Sequence, residues 1–573
     1  MRRLSFLFSR TGRAMVVAAA LVLFAVCIYA TALQEPKPLQ QGFVVALMLC
    51  AFGALLFAFA RFATALVVAG ALFAAIKFLA VVKVRYLEES LLPSDFIYYA
   101  STSLLDTVRH YPHLYLLSIG IVLVVPPALW LIWRGDWRLF VGRRPQFAFG
   151  LRLGGFVLFV AAFLICLLPS GPFAQVHNRG VWEKLSDDAQ LTNFFINFDD
   201  SRVHLPAMSS DAVAEQQWGS TAQGAPGSAH APYPDIVQVL EESTFDPSIF
   251  TACGAPECRV PMFQPDARTR GTGFLRTHTF GGGTWVSEFA TLTGMPQDIF
   301  GPGGMYAPYV LAPHVRDALA MQLRRLGYLT IAIYPTEGSF LNGRNAYTSY
   351  GFDHLYDVNE LKLDEWEETD KQMFDAAKRV YDQVKKPGQP VFIMVLTINQ
   401  HGPHDDLPLA QLPAPFNRGL LKGLSPAATI NFSAYLSRLH DSDVAMRGLE
   451  HDFLDRPQPT LIVHFGDHQP SFEGMIRPMA RTLPPALQPY RDFLTYYMLK
   501  TNFTAAALPS YPMMDIAFLP SMVLQAAGLP KDPYFSALQE LRTRCDGLYD
   551  DCKTPGLIDS YHAWTFGRLH VYQ

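Results

Sequence analysis

The chain has 573 residues, of which 50% are hydrophobic and 17% charged, and its formal net charge is −4. This length exceeds what one domain needs, and the composition is too apolar for an ordinary soluble enzyme. The charge balance shows none of the basic character typical of nucleic-acid binding, so no nucleic-acid partner is predicted.

The first 169 residues concentrate the apolar excess in five segments. These are Ala14–Leu33, Phe43–Ala60, Phe62–Val82, Leu114–Trp133 and Leu153–Pro169. A membrane-spanning helix needs about 20 apolar residues, and no soluble fold packs five such runs in succession. We therefore expect five transmembrane helices in residues 1–169. The first is not a cleaved signal peptide, because further spans follow it.

Arginine residues predict the orientation of these spans. They precede the first span, lie between the second and third, and lie between the fourth and fifth: Arg2, Arg3, Arg10, Arg13, Arg61, Arg134, Arg138, Arg143 and Arg144. Basic loops stay on the cytoplasmic side, so the N-terminus is expected inside. Five spans then place the loop Val84–Pro112, and everything after Pro169, outside the cytoplasmic membrane.

Residues 170–234 predict a connection between the spans and a larger domain. Val181–Phe198 mixes aromatic and aliphatic residues with charges, which is typical of an interfacial helix. Gly219–Pro234 is rich in Gly, Ser, Ala and Pro and is interpreted as a linker. The remaining stretch, Asp235–Gln573, is long enough for one large domain with a substantial core.

Strand and helix patterns alternate in that domain. The predicted strands are Asp235–Leu240, Leu329–Tyr334, Val391–Thr397 and Thr460–Phe465. The predicted helices are His314–Leu326, Glu367–Lys385, Ala427–Phe453 and Asp515–Ala527. This alternation predicts an α/β domain with a mainly parallel sheet and helices on both faces.

Polar residues follow three of the predicted strands. Glu241 and Glu242 end the first, His401 follows the third, and Asp467 and His468 follow the fourth. Ligands bind beyond the carboxyl ends of strands in such sheets, and carboxylates with an imidazole can hold Mn²⁺ or Zn²⁺. Each residue also has a structural interpretation, as a helix cap or a turn residue.

The stretch Gly281–Phe289 predicts a nucleophile. Trp285, Phe289 and Leu292 have helical spacing, so Thr284 is expected on the first turn of a helix, directly after three glycines. Glycines let the backbone approach a ligand, and a helix start suits a phosphate or sulfate. A metal can ionise a hydroxyl there for attack on phosphorus. The structural alternative is a Gly-rich turn capped by threonine.

Together these motifs resemble a known family. The residues that carry the resemblance are Glu242-Ser243, Gly282-Gly283-Thr284 with Ser287-Glu288-Phe289, Asn399-Gln400-His401-Gly402-Pro403 and Phe465-Gly466-Asp467-His468. In this order they are similar to the lipoteichoic acid synthase and phosphoglycerol transferase family, within the alkaline phosphatase–sulfatase superfamily. Five spans followed by an extracytoplasmic catalytic domain is also that family's architecture. The resemblance implies the inner, cytoplasmic membrane of a bacterium, with the catalytic domain in the periplasm.

The resemblance implies a role for each matching residue. Glu242, Thr284, Asp467 and His468 would bind one divalent cation, Mn²⁺ first, with Zn²⁺ and Mg²⁺ as alternatives. Thr284 would also be the nucleophile. His401 would contact the phosphoryl group or the leaving oxygen, and Arg344 would hold the substrate phosphate.

The chain departs from the family pattern before Arg344. The family carries an aromatic pair followed by Asn-Arg, whereas this chain has Phe340-Leu341-Asn342-Gly343-Arg344. The change falls where the acceptor or the head group is recognised. Glu241, an additional carboxylate beside an expected ligand, stays without an assigned role.

The implied reaction transfers phosphoglycerol from a phospholipid, phosphatidylglycerol, through a phosphothreonine to an envelope glycan, a lipid or a growing polymer. Phosphoethanolamine transfer is the alternative, followed by a phosphodiesterase or sulfatase-like hydrolase. No cysteine lies near Thr284 for conversion to formylglycine, which argues against a true sulfatase. A non-catalytic envelope-assembly protein is a further alternative, against which the intact ligand set argues.

The seven cysteines fall into two groups. Cys27, Cys50 and Cys166 lie in predicted spans and are expected to be free thiols. Two close pairs lie in the predicted extracytoplasmic domain, where an oxidising compartment permits disulfides: Cys253 with Cys258, and Cys545 with Cys552.

Overall fold

A computed structural model describes residues 9–87, 91–98, 112–177, 189–197, 203–228 and 232–573. The chain divides into two compact units. The first comprises Met1–Arg85 and Glu89–Ser201, and the second Tyr86–Glu88 and Arg202–Gln573.

The first unit is helical. Its longer helices are α1 (Arg10–Ala30), α2 (Pro38–Phe59), α3 (Phe62–Leu87), α4 (Pro112–Gly135), α5 (Pro145–Leu167) and α6 (Gln190–Ile196). Asp95–Tyr98 and Ala174–His177 form single helical turns. Four segments are long and apolar enough to cross a membrane: Arg10–Gln34, Pro38–Phe59, Phe62–Lys83 and Pro145–Leu167. The chain is a membrane protein with these helices at its N-terminal end.

The predicted fourth span, Leu114–Trp133, lies in α4. Where the side chains of α4 are described, its apolar part is Leu123–Gly135, which is shorter than a span. Two prolines, Pro126 and Pro127, also lie inside this helix. Four of the five predicted spans are therefore found, and the predicted span Leu114–Trp133 stays a prediction.

The predicted interfacial helix Val181–Phe198 is described only in part. Residues 181–188 and 198 lie outside the described residues, and α6 covers Gln190–Ile196. The buried carboxylate of Glu35 accepts hydrogen bonds from the backbone N–H groups of Leu191 and Thr192, at 3.2 and 3.1 Å. A carboxylate suits these N–H groups because the start of a helix leaves them without partners. Most of the predicted loop Val84–Pro112 also lies outside the described residues.

The second unit is built on one eight-stranded sheet. The strands are β1 (Asp235–Glu241), β2 (Thr269–Arg276), β3 (Leu329–Ile333), β4 (His354–Tyr356), β5 (Val391–Leu396), β6 (Thr460–Gly466), β7 (Leu494–Thr501) and β8 (Met513–Asp515). Their order is β4-β3-β5-β1-β6-β7-β2-β8. Only β7 is antiparallel to its neighbours, so the sheet is mostly parallel, as predicted.

Nine α-helices of six or more residues accompany this sheet in the described part of the unit. They are α7 (Asp211–Trp218), α8 (Thr284–Thr293), α9 (Leu319–Arg325), α10 (Gly343–Tyr350), α11 (Asp370–Val384), α12 (Pro426–Leu454), α13 (Leu519–Ala526), α14 (Pro533–Arg544) and α15 (Leu557–His562). A π-helical turn, Ala563–Arg568, continues α15.

Two predicted helices begin too early. The first, His314–Leu326, is helical only from Leu319, because Val315 is extended after the short turn Ala312–His314. The second was predicted from Asp515, which instead ends β8, and a 3₁₀ turn separates it from α13. Asp515 thus belongs to the sheet, which places its carboxylate at a strand end rather than on a helix.

The two faces of the sheet bury different helices because strand side chains alternate. Ile236 and Leu240 of β1 pack in one core cluster, together with Phe289 of α8. Val237 and Val239 pack in another, together with residues of α11 and α12. Glu241 continues the second series and Glu242 the first, so their side chains leave the strand on opposite faces.

The second unit begins earlier than the predicted boundary at Asp235. The indole of Trp218 is fully buried, and its N–H donates to Ser560 Oγ at 3.0 Å. Ala225 pairs with Lys531 in an isolated β-bridge. Residues 219–228 of the predicted linker are therefore packed on this unit. Their Gly/Ser-rich composition suggested a linker, although the buried Trp218 lies directly before them.

Both predicted disulfides are formed, Cys253–Cys258 and Cys545–Cys552. Cys27, Cys50 and Cys166 are free thiols, as predicted.

Candidate active site

Thr284 starts helix α8, as the sequence predicted. The residue before it, Gly283, adopts a φ of 85°. A Cβ at Gly283 would meet Thr279 Oγ1 at 2.8 Å, so both the backbone angle and the space require glycine. The Thr284 side chain is half-buried and lies at the positive end of the helix dipole.

Three buried side chains form a compact group beside Thr284. Ligand atoms of Glu242, Asp467 and His468 all lie within 4.8 Å of one another. His468 Nε2 is 3.3 Å from Asp467 Oδ2 and 3.8 Å from Glu242 Oε1. Thr284 Oγ1 lies 3.4 Å from the same nitrogen. The four predicted ligands are thus brought together.

The sheet explains why residues so far apart in sequence meet. β1 and β6 are parallel neighbours, and Glu241 pairs with Gly466 in their register. The next residues, Glu242 and Asp467, therefore emerge side by side at the carboxyl end of the sheet. Ser287, one turn into α8, donates to the Asp467 carbonyl at 2.7 Å and joins the nucleophile helix to this edge.

In each carboxylate, one oxygen accepts hydrogen bonds and the other accepts none. Asp467 Oδ1 accepts the backbone N–H groups of Ser243 and His468, both at 2.7 Å. Glu242 Oε1 accepts the Ser243 hydroxyl at 2.6 Å. The second oxygens, Asp467 Oδ2 and Glu242 Oε2, are buried without a hydrogen-bond partner. His468 directs Nδ1 at the Gln469 carbonyl, 3.1 Å away, which leaves Nε2 facing the group.

The electrostatics of the group favour a cation. Burial and the charge of Asp467 raise the pKa of Glu242 to about 8. Burial also raises the pKa of Asp467. A divalent ion would supply the missing positive charge and fill the unpartnered oxygens. Two carboxylates, an imidazole and a hydroxyl therefore fit a metal such as Mn²⁺ or Zn²⁺.

His401 lies in the loop after β5, half-buried. Its Nδ1 donates to the Gly402 carbonyl at 2.6 Å, so Nε2 is the nitrogen left for substrate. Burial lowers the pKa of His401, while the nearby charge of Asp467 acts to raise it. Arg438 of α12 holds this loop by donating to the carbonyls of His401 and Pro403, at 2.8 and 3.0 Å.

Arg344 does not meet the metal group. Its guanidinium pairs with Asp357 at 2.7 Å and Glu360 at 3.0 Å, and donates to the Leu355 carbonyl at 3.0 Å. It borders a cavity of about 390 Å³ next to β4. A phosphate would have to compete with two carboxylates for this side chain. The predicted phosphate-binding role stays a prediction without support from these contacts.

The structure adds an aromatic wall that the sequence did not reveal. Trp366 lies 5.2 Å from the His401 ring and 5.2 Å from the Phe340 ring, centroid to centroid. Trp366, Leu341 and Asn342 all adopt positive φ angles of 70°, 46° and 60°. Such backbone conformations cost energy and cluster at functional sites. Trp366 is far from Phe340 and His401 in sequence, so no local pattern predicts their contact.

Comparisons with known proteins agree with this geometry. Residues 234–514 match the family described as Sulfatase, so this part of the chain is a sulfatase-like domain. An uncharacterized protein of Haemophilus influenzae is 25% identical over 565 residues, which cover 92% of this chain and 95% of that protein. The predicted resemblance to the alkaline phosphatase–sulfatase superfamily is confirmed.

Two further similarities are narrower. A putative cyclic beta-1,2-glucan modification protein of Rhizobium meliloti is 26% identical over 320 residues, covering 54% of this chain and 48% of that protein. The chain therefore matches about half of that relative. The phosphoglycerol transferase GacH of Streptococcus pyogenes, solved with sn-glycerol-1-phosphate, shares the fold with a TM-score of 0.50 and 16% identity. That match covers 64% of this chain and 95% of the GacH chain.

Proposed function

We propose that this membrane protein, whose larger unit carries a sulfatase-like domain, is a metal-dependent phosphoglycerol transferase. The donor is a phospholipid, phosphatidylglycerol, and the acceptor is an envelope glycan, a lipid or a growing polymer. One observation carries the proposal. The Thr284 hydroxyl stands at a helix start, 3.4 Å from a histidine that shares its site with two unneutralised carboxylates.

The chain's own residues account for the transfer in two steps. When bound by Glu242, Thr284, Asp467 and His468, Mn²⁺ supplies positive charge that favours the ionised threonine and the phosphoryl oxygens. Thr284 Oγ bonds to phosphorus, and the bond from phosphorus to the diacylglycerol oxygen breaks. As this bond forms, the hydroxyl proton of Thr284 passes to His401 Nε2, which gives it to the departing diacylglycerol oxygen. An acceptor hydroxyl then displaces Thr284, returning it to its starting state.

The first unit would hold the enzyme beside its lipid donor. We propose five spans in residues 1–169, the N-terminus inside, and the larger unit outside the bacterial inner membrane. Two disulfides in the larger unit support an oxidising compartment. Tethering to the membrane raises the effective concentration of lipid at the site.

The acceptor proposal draws support from one relative and from the aromatic wall. The name of the Rhizobium protein, a putative cyclic beta-1,2-glucan modification protein, supports a glycan among the acceptors. Trp366, beside His401, offers an apolar ring of the kind that packs well against ligands with both apolar and polar faces.

The decisive experiment captures the covalent intermediate. Purified protein with Mn²⁺ and phosphatidylglycerol, without acceptor, should accumulate phosphoglycerol on Thr284 in a single turnover. Intact-protein mass spectrometry and peptide mapping identify the group and the residue. An ethanolamine adduct formed from phosphatidylethanolamine instead would replace the proposed donor while keeping the mechanism. Turnover with no adduct, or an adduct elsewhere, would refute the mechanism itself.

A further inference from the structure

Phe340, Trp366 and His401 form the aromatic wall from three separate loops. The centroid of the Trp366 ring lies 5.2 Å from each of the other two, with interplanar angles of 87° to Phe340 and 60° to His401. All three residues are half-buried, so the wall is partly open to solvent. The wall therefore borders the histidine that carries the proton in the proposed transfer.

The two loops that carry Phe340 and Trp366 are fixed to each other. The Glu365 carboxylate accepts the backbone N–H of Glu337 at 3.0 Å, which joins the two loops. Trp366 itself has a φ of 70°, in the left-handed region that a bulky residue rarely adopts. A strained backbone persists only where its surroundings hold it, and such residues cluster at functional sites. The Trp366 ring is therefore held in place before a ligand arrives, which lowers the entropic cost of binding.

Charge determines what kind of ligand this wall can take. Residues 363–369 contain no lysine or arginine and four carboxylates: Asp364, Glu365, Glu367 and Glu368. The two arginines described above are already paired with carboxylates: Arg344 with Asp357 and Glu360, and Arg438 with Asp406. The field at the wall is therefore negative, which disfavours the binding of a phosphate or an anionic polymer there.

A sugar ring combines the two properties that this wall can recognise. Its C–H face is apolar and packs on an indole, and its hydroxyls donate hydrogen bonds to carboxylates. Ligand sites are built in this way, from aromatic side chains and a few polar groups that fix orientation. An ammonium group also suits aromatic rings and carboxylates, but it carries no hydroxyl and cannot itself accept the transferred group.

We propose that Trp366 and Phe340 form the acceptor subsite and that this subsite binds a neutral sugar ring. Bound there, the sugar directs one hydroxyl at His401. In the second step, that hydroxyl oxygen bonds to phosphorus, its proton passes to His401 Nε2, and the bond from phosphorus to Thr284 Oγ breaks. His401 then returns the proton to Thr284. This inference rests on the proposed function, because it assigns the acceptor of that same transfer.

Binding measurements test the subsite without any turnover. Full-length protein in detergent is titrated calorimetrically with a panel of neutral oligosaccharides built from glucose, galactose or N-acetylglucosamine. At least one should bind wild type, and Trp366→Ala and Trp366→Leu should each weaken that binding by about tenfold or more, since the ring is lost. Trp366→Phe should retain most of the affinity. Phe503→Ala is the matched control and should bind like wild type, because this half-buried ring follows β7 at the opposite edge of the sheet.

Single-turnover measurements then assign the subsite to one half of the reaction. Trp366→Ala should slow discharge of the Thr284 adduct by the bound oligosaccharide at least about ten times more than it slows formation of the adduct. Equal slowing of both steps would place the rings at the donor and overturn the proposal. Competition by choline, or no binding of any panel member to wild type, would overturn it as well. If wild type forms no adduct but Trp366→Ala still loses oligosaccharide binding, the transfer mechanism fails and the sugar subsite stands.

Discussion

Two clusters of the larger unit combine histidine and carboxylates within 4.8 Å, and they differ in how their charge is balanced. In the first, Glu242, Asp467 and His468 have no arginine or lysine ion pair among the described residues, and oxygens remain unpartnered. In the second, His278 lies between Asp298 and Asp515, at 2.8 and 2.9 Å, with Asp550 nearby.

Arg276 accounts for the difference in charge balance between the two clusters. It lies 3.5 Å from Asp515 and 3.2 Å from Asp550, so the second cluster contains its own positive charge. Burial acts to lower the pKa of His278, but the charges of Asp298 and Asp515 outweigh it and raise that pKa well above its usual range. His278 is therefore protonated, and its two ring nitrogens pair with Asp298 and Asp515. A similar residue set forms a candidate metal site in one place and a closed ion network in the other.

The largest expected effect is the loss of turnover when the nucleophile beside the first cluster is removed. Thr284→Ala should lower turnover by on the order of 10⁴-fold or more while most of the metal affinity remains, because three ligands persist. Phosphodiester turnover and metal content measured on the same preparation test this. The control is Thr293→Ser, at the far end of the same helix. Near wild-type turnover in Thr284→Ala would refute the nucleophile assignment.

Removing a carboxylate should have opposite consequences in the two clusters. Asp467→Ala should lose the catalytic metal and its activity, since a charged ligand disappears. Asp515→Ala should keep that metal but lower the free energy of unfolding by about 3 kcal/mol or more, because His278 and Arg276 lose a buried partner. Elemental analysis and denaturant unfolding distinguish these outcomes. Loss of metal in Asp515→Ala would show that the second cluster also binds an ion.

The smallest effect is the pH dependence of stability that His278 contributes in the second cluster. A raised folded-state pKa means that His278 contributes its full stability below its unfolded pKa of about 6.5 and loses it as pH rises through the folded value. The difference in unfolding free energy between wild type and His278→Gln should therefore be largest below about pH 6.5 and should shrink in alkaline solution. Unfolding curves across pH 5–9 test this. A difference that grows with pH would show that His278 is neutral in the folded protein.

The sequence predicted those strands that have a recognisable local pattern of apolar residues. β1, β3, β5 and β6 are buried parallel strands, and such strands appear as apolar runs. β2 contains Arg270, Gly271 and Gly273 and is only half-buried, so it carries no such run. β4 and β8 have three residues each, which is too short for a pattern.

The candidate site divides in the same way. Glu242, Thr284, Asp467 and His468 follow strands or start a helix, so topology alone brings them to one edge. The ion pairs of Arg344 depend on Asp357 and Glu360, whose placement follows from the short strand β4. The contact of Trp366 with His401 joins two loops, and loop conformation is not encoded in periodicity. Asp370, whose charge helps to raise the pKa of Glu241, lies at the start of α11, 129 positions away, beyond any local signal.

The burial of Trp218 sets where a protease could release the larger unit intact. This indole packs against Tyr561 at 5.4 Å and under the Arg544 guanidinium at 4.8 Å. A cut within residues 219–234 would remove the tryptophan and open its apolar socket to water. A cut before Val203 would leave the socket filled. A released form that keeps this socket filled would therefore begin before the helix Asp211–Trp218, and a form that lacks Trp218 would be expected to aggregate.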